Sequence, residues 1–251
     1  TYGCKHECTH CPVPIEFKGM FKTFGTEKII TDVTNQVEEG AKHISFNDPD
    51  FFNGPKHALK ILQLLNEKHP SITYDSTIKV EHILKYPDYF QELKNLNMLF
   101  VISAFETTND HVLNILQKNH SFNDLNKAVE LSLENKIDIR PTWMPFSPWT
   151  EQNDLISIIK LIENYKLRET VDPIQLTIKL LVPKNSLILK RPEMKEYLLD
   201  YDPASFSYAW KYKFPNIDNI QNELFTYVLQ HESENEYTQY LGLVDILESH
   251  T

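Results

Sequence analysis

The sequence predicts an α/β fold in which parallel strands alternate with helices, and three observations carry that prediction. Short β-rich runs recur roughly every 25–40 residues. The intervals between them are filled by segments with apolar residues at helical spacing. Polar residues collect just after the β-rich runs, where the chemistry of parallel α/β folds is usually placed.

The elements follow in order. Thr26 is read as the cap of a helix whose Ile29, Ile30, Val33 and Val37 make one apolar face, ended by Gly40. HISF (His43–Phe46) is the first visible strand. Pro55 suits the first turn of the next helix, with Ala58, Ile61, Leu62 and Leu65 facing inward. ITYDSTIKV (Ile72–Val80), LFVISAF (Leu99–Phe105), IDIRPTW (Ile137–Trp143) and IQLTIKLLV (Ile174–Val182) are the next strands, with helices over His111–Gln117, Asn123–Asn135 and Asp154–Tyr165.

The chain starts without an initiator methionine, three residues before a ligand-rich loop, and such loops follow strands. The expectation is therefore a fragment missing its first strand and a C-terminal tail. Counting that strand gives six βα units, enough for an open, partial (β/α)6 TIM-like barrel. The rhythm stops near Pro192. Residues 1–192 read as the barrel core and 193–251 as a helical, aromatic-rich, acidic C-terminal extension packed on it.

Composition narrows the function. The 251 residues can bury a sizeable core, and the 41% hydrophobic and 24% charged content is that of a globular protein. A formal charge of −10 argues against a nucleic-acid partner, which would need a basic face. No run approaches the roughly 20 apolar residues that cross a bilayer, so no membrane partner is expected. All three cysteines lie in the opening TYGCKHECTHCP, at Cys4, Cys8 and Cys11, which suits ligands in a reducing cytoplasm rather than a disulfide framework.

Three thiolates in one short loop can hold a four-iron cluster and leave one iron open to bind something else. Zinc held by the same cysteines with His6 or His10 is the competing reading, although structural zinc sites usually draw ligands from two separated pairs. A non-catalytic zinc-stabilised binding module, or an iron–sulfur electron-transfer protein without further chemistry, would follow from the alternatives.

CKHECTHC is similar to the CxxxCxxC signature of the radical S-adenosylmethionine (SAM) superfamily, and it precedes a βα series as it does there. CTHCPVP, FNDPDFFNGPKHA, TIKVEHIL, SAFET and RPTWMPFSPWT, between Thr1 and Pro192, resemble a subgroup with a cysteine- or selenocysteine-containing C-terminal tail. That subgroup is related to arsenic-handling enzymes that move the aminocarboxypropyl part of SAM onto arsenite. This chain departs from the pattern, having no cysteine after Cys11.

The resemblance implies a radical SAM-type barrel, a [4Fe-4S] cluster on Cys4, Cys8 and Cys11, and SAM chelated at the fourth iron and cleaved reductively. It further implies a small-molecule substrate and a flavodoxin- or ferredoxin-like electron donor. His10 stands where relatives place a ring near the adenine. Asn47, Asp48 and Asp50 replace the Gly-Gly-Glu stretch that grips the SAM amino group in many members; a capped turn before Pro55 accounts for them equally. Ser103 and Glu106 stand where related enzymes bond the ribose, though a backbone partner would also satisfy Ser103.

Arg140, mid-strand, can clamp the SAM carboxylate or pair with Glu81 or Glu106. For Lys79 an ion pair to Glu81 is the preferred reading. Trp143, Phe146 and Trp149 are read as core, and His43, His57, His69 and His82 are assigned no role.

Overall fold

The computed structural model describes residues 1–250. In chain order the first elements are β1 (Tyr2–Gly3), α1 (Val13–Phe17), β2 (Phe21–Lys22), α2 (Thr26–Glu38), β3 (His43–Phe46) and α3 (Pro55–Lys68). Next come β4 (Thr73–Thr77), α4 (Val80–Lys85), α5 (Pro87–Asn95), β5 (Met98–Glu106) and α6 (Asp110–Ile115). The chain continues with α7 (Phe122–Asn135), β6 (Asp138–Trp143), α8 (Gln152–Asn164), β7 (Leu198–Asp202), β8 (Ser207–Trp210), α9 (Asn216–Gln230) and α10 (Glu236–Ser249).

The α/β prediction is borne out. The strands β3, β4, β5 and β6 form one sheet in that order, with β3–β4 and β4–β5 paired parallel. The register runs His43 opposite Thr73 through Phe46 opposite Ser76. Parallel neighbours need crossover connections, and α3 and the α4–α5 pair supply them.

Contacts divide the chain into two compact units. The first holds Thr1–Glu7, Val13–Ala104 and Asn126–Arg140; the second holds Cys8–Pro12, Phe105–Leu125 and the chain from Pro141. In the first unit, Pro55 opens α3 as expected, and Ala58, Ile61, Leu62 and Leu65 all turn inward. They join Tyr74, Ile83, Phe90, Met98 and Val101 among its buried apolar residues. In the second unit, Val112, Ile115 and Leu116 of the α6 segment pack with Met144, Trp149, Leu180, Val182, Ile188 and Met194. Trp143, Phe146 and Trp149 are buried, in keeping with the core reading.

Three local expectations are corrected. The N-cap of α2 is Gly25, and Thr26 is its first helical residue; Gly40, with φ of 106°, does follow the helix end. Strand β4 stops at Thr77, because Lys79 turns the extended chain into α4. The strand expected over Ile174–Val182 opens instead as a 3-10 turn, Pro173–Thr177, with the Asp172 side chain accepting from the Ile174 amide. Beyond it only one parallel bridge forms, Phe146 to Lys179. An Asp-Pro pair supplies turn chemistry that overrides the β-rich composition after it. The stretch read as a helical extension begins with the antiparallel hairpin β7–β8 before α9 and α10.

Candidate functional site

The cysteine loop leaves β1 through Gly3. Its φ is +76°, and a Cβ there would lie 2.4 Å from the Met20 carbonyl oxygen, so only glycine fits. In the first unit Asn53 holds the loop's start. Its Nδ2 donates to the Gly3 carbonyl at 3.4 Å, and its Oδ1 accepts from the Cys4 thiol at 3.7 Å and the Lys5 amide at 3.5 Å. Burial pushes the Cys4 thiol pKa up.

Asp50 caps the turn that carries Asn53. Its Oδ1 accepts from the Phe52 and Lys79 amides, each at 3.3 Å, and its Oδ2 lies 2.6 Å from His82 Nδ1 and 3.9 Å from His6 Nε2. The two histidines meet Nε2 to Nε2 at 3.2 Å. Glu81 Oε2 lies 3.5 Å from His6 Nδ1 and takes an ion pair from Lys79 at 3.3 Å. Burial first, and then the Lys79 charge, pushes the His6 pKa down to about 4.

The other SAM-directed candidates of the first unit sit as follows. Asn47 and Asp48 follow β3 and line a cavity of about 420 Å³ with Phe24, Ile29, Val33 and Phe46. Asp48 is buried and bonded to Thr1. The Ser103 hydroxyl donates to the Ile78 carbonyl at 2.7 Å, a backbone partner that satisfies its proton. Arg140 is exposed, not buried as its mid-strand place suggested, because alternate residues of β6 face outward; its guanidinium lies 3.5 Å over the Phe100 ring. The preferred Lys79–Glu81 pair is present.

In the second unit Thr9 pins the loop. Its amide donates to Leu116 O at 3.0 Å and its hydroxyl to Ile115 O at 2.8 Å, while its carbonyl accepts from the Ile188 amide at 2.9 Å and the Ser186 hydroxyl at 3.2 Å. Cys8 and Cys11 close a turn around it, with the Cys11 amide donating to Cys8 O at 3.1 Å.

Glu106 ends β5 in the left-handed region, φ +66°, a conformation a non-glycine residue holds only against strain. Its Oε1 meets Lys118 Nζ at 2.9 Å and His10 Nε2 at 3.0 Å. Burial opposes the Glu106 charge, yet Lys118 and then His10 hold its carboxyl well below the usual range. Burial likewise opposes the Lys118 charge, but Glu106, with the Cys8 and Cys11 thiols, raises its pKa.

Of the residues singled out from sequence, His10 and Glu106 are thus brought together, as are Asn47 and Asp48, while Asp50 turns to His6 and His82. Asn53, Thr9, Lys118 and the role of His82 were not foreseen. Lys118 had one readable signal: it stands between Gln117 and Asn119, which both take positive φ, and a polar QKNH run reads as a turn whose middle side chain can point in. Its signal is weak because lysine in a turn is ordinarily solvated.

Residues 1–162 match the radical SAM superfamily, and the chain belongs to it. Among curated proteins the chain is similar to the ribosomal protein uS12 methylthiotransferase RimO of Pseudothermotoga lettingae. The identity is 32% over 92 residues, which cover 36% of this chain and 21% of RimO. Among solved structures it is similar to the cobalamin-dependent S-adenosylmethionine radical enzyme OxsB, with a TM-score of 0.73 at 13% identity over 92% of this chain and 40% of OxsB.

It is also similar to the radical S-adenosylmethionine methyltransferase TsrM of Kitasatospora setae, TM-score 0.57 at 13% identity, over 65% of this chain and 33% of TsrM. At such identities the solved structures share the TIM-barrel-like α/β fold, and the chain spans only part of each relative's length.

The family uses a [4Fe-4S] cluster and SAM. The donor set here fits: three cysteine side chains in eight residues, two of them within electrostatic reach of the buried Lys118 ammonium. No helix among the described residues is long and apolar enough to cross a membrane.

Proposed function

We propose that this chain is the catalytic core of a radical SAM enzyme, with Cys4, Cys8 and Cys11 as the cluster ligands, acting on a small molecule. The observation that carries the reading is the anchoring of the loop. Thr9, between two of the cysteines, makes four hydrogen bonds, and Asn53 accepts from the third cysteine's thiol, so the loop is held at both ends. When bound, a reduced cluster supplies the electron that breaks a carbon–sulfur bond of SAM.

The protein's own residues bind and orient. Lys118 offsets the charge of the thiolates and holds Glu106, which in turn fixes His10 beside the loop. Glu106 and Ser103 are proposed to bond the ribose, His10 to face the adenine, and Asn47 and Asp48 to accept from the SAM ammonium. A low-potential donor of the flavodoxin or ferredoxin kind in a reducing cytoplasm completes the reading.

Anaerobic reconstitution tests it. The expected result is about four irons and four sulfides per chain, an electron paramagnetic resonance signal altered by SAM, and, with dithionite, SAM fragments in the mass spectrum. Those fragments also tell a 5′-deoxyadenosyl from an aminocarboxypropyl cleavage. One tightly held zinc per chain in place of iron, or a cluster signal indifferent to SAM, overturns the reading.

A further inference from the structure

We infer that His6, Asp50 and His82 form a second metal site, one that takes a divalent first-row transition cation of the zinc or iron(II) kind. All three belong to the first unit and come from three separate segments: the cysteine loop, the turn after β3, and α4. One donor atom from each lies within 4.8 Å of the others.

Burial is the first argument. Asp50 and His82 are fully buried and the His6 side chain is only 9% exposed. Two imidazoles and a carboxylate out of water are ordinarily either fully hydrogen-bonded or coordinated. Here Asp50 Oδ2 and His82 Nδ1 touch at 2.6 Å, yet neither has a hydrogen bond of acceptable alignment. A buried donor and acceptor left unsatisfied side by side are costly. A cation coordinated by Asp50 Oδ2 satisfies that carboxylate oxygen.

The geometry is the second. For a metal–nitrogen distance of about 2.0–2.1 Å, the 3.2 Å between His6 Nε2 and His82 Nε2 corresponds to an N–metal–N angle of about 100°, within the tetrahedral and octahedral range. Ligands on one such ion lie at most about 4.2 Å apart, so shifts below an ångström close the set around it. The surroundings also behave as an outer shell. Two amides fix Asp50 Oδ1 and thereby aim Oδ2, and Glu81 faces His6 Nδ1, as carboxylates do behind metal-bound histidines. Asp50 and Glu81 bring two negative charges against the single positive charge of Lys79, which leaves the pocket favourable to a cation. A nitrogen-rich donor set selects zinc or iron(II) over calcium, magnesium or manganese.

The test uses the full-length C4A/C8A/C11A chain, which removes the cysteines as competing ligands. Its binding of zinc is followed by calorimetry, and its binding of cobalt(II) by visible absorption. The expected result is one ion per chain, a cobalt spectrum without sulfur charge-transfer bands, and a more than tenfold loss of affinity when D50N or H82Q is added. A triple variant that is folded by circular dichroism and binds no zinc overturns the proposal, as does binding undiminished by D50N.

If the triple variant does not fold, the reconstituted wild-type chain and its D50N form are compared for zinc retained after dialysis. One equivalent in the wild type and none in D50N supports the site, and equal amounts sink it. Neither result depends on whether SAM is cleaved.

Discussion

At the residue scale, the decisive group is a lysine. Lys118 is buried and its ammonium lies 2.9 Å from the Glu106 carboxylate, so removing one partner strands a charge out of water. K118M is expected to lower unfolding free energy by about 3–5 kcal/mol in urea titration, and to weaken iron retention as well. A loss below about 1 kcal/mol would mean that water reaches Glu106 and that the pair is of the weak, solvated kind. Cys8 makes a sharper separation of roles. C8A removes one sulfur from a loop tied down mainly through Thr9, so circular dichroism and Tm should stay close to wild type while reconstituted iron is lost. Wild-type iron in C8A would show that the ligands lie elsewhere.

At the element scale, strand β1 and helix α10 each carry a contact that one substitution can test. G3A places a methyl group 2.4 Å from the Met20 carbonyl and forces alanine to φ +76°, a left-handed conformation that costs about 1–2 kcal/mol before the clash is counted. The β1–β2 pairing and the loop after it should loosen, seen as faster amide exchange at Gly3–Lys5. Helix α10 is tied to α8 through Tyr240, whose hydroxyl donates to Glu163 Oε1 at 2.8 Å, while Arg168 pairs with the same carboxylate.

The Arg168 hydrogen bond, more than the Tyr240 one, holds the Glu163 pKa below its ordinary value. A depressed carboxylate contributes stability that is complete above the unfolded-state value, about 4.3, and is lost as pH falls through the folded-state value. The Tm of wild type should therefore fall more steeply than that of E163Q between about pH 4.5 and 3. Parallel curves would show that α10 does not lean on this charge.

At the scale of the whole molecule, the radical SAM assignment makes stability depend on the cofactors. A ligand that binds only the folded chain adds RT ln(1 + [L]/Kd), about 2.7 kcal/mol at a hundredfold excess over Kd. SAM at that level should raise the Tm of the reconstituted protein by about 5–10 °C and leave C4A/C8A/C11A unmoved. An equal rise in both would place SAM binding apart from the cysteines. The fold itself tolerates deep divergence: at 13% identity the chain superposes on OxsB with a TM-score of 0.73. Such tolerance is expected where apolar pattern and volume, rather than residue identity, specify the core.

The sequence by itself determined what is local. The spacing of Ala58, Ile61, Leu62 and Leu65 made α3 legible because a helix repeats its inward face within a few residues. The alternation of strands and helices was legible from composition and connection length, although one of the five strands read there did not form, and the cluster loop from three cysteines within eight positions. Only the tertiary structure decided which distant side chains meet. Asn53 reaches Cys4 across 49 positions and His82 reaches His6 across 76, and neither separation leaves a trace in local periodicity. It also ended β4 early and turned the start of Ile174–Val182 into a 3-10 helix with one parallel bridge beyond it, because a strand exists only where a neighbour accepts its hydrogen bonds.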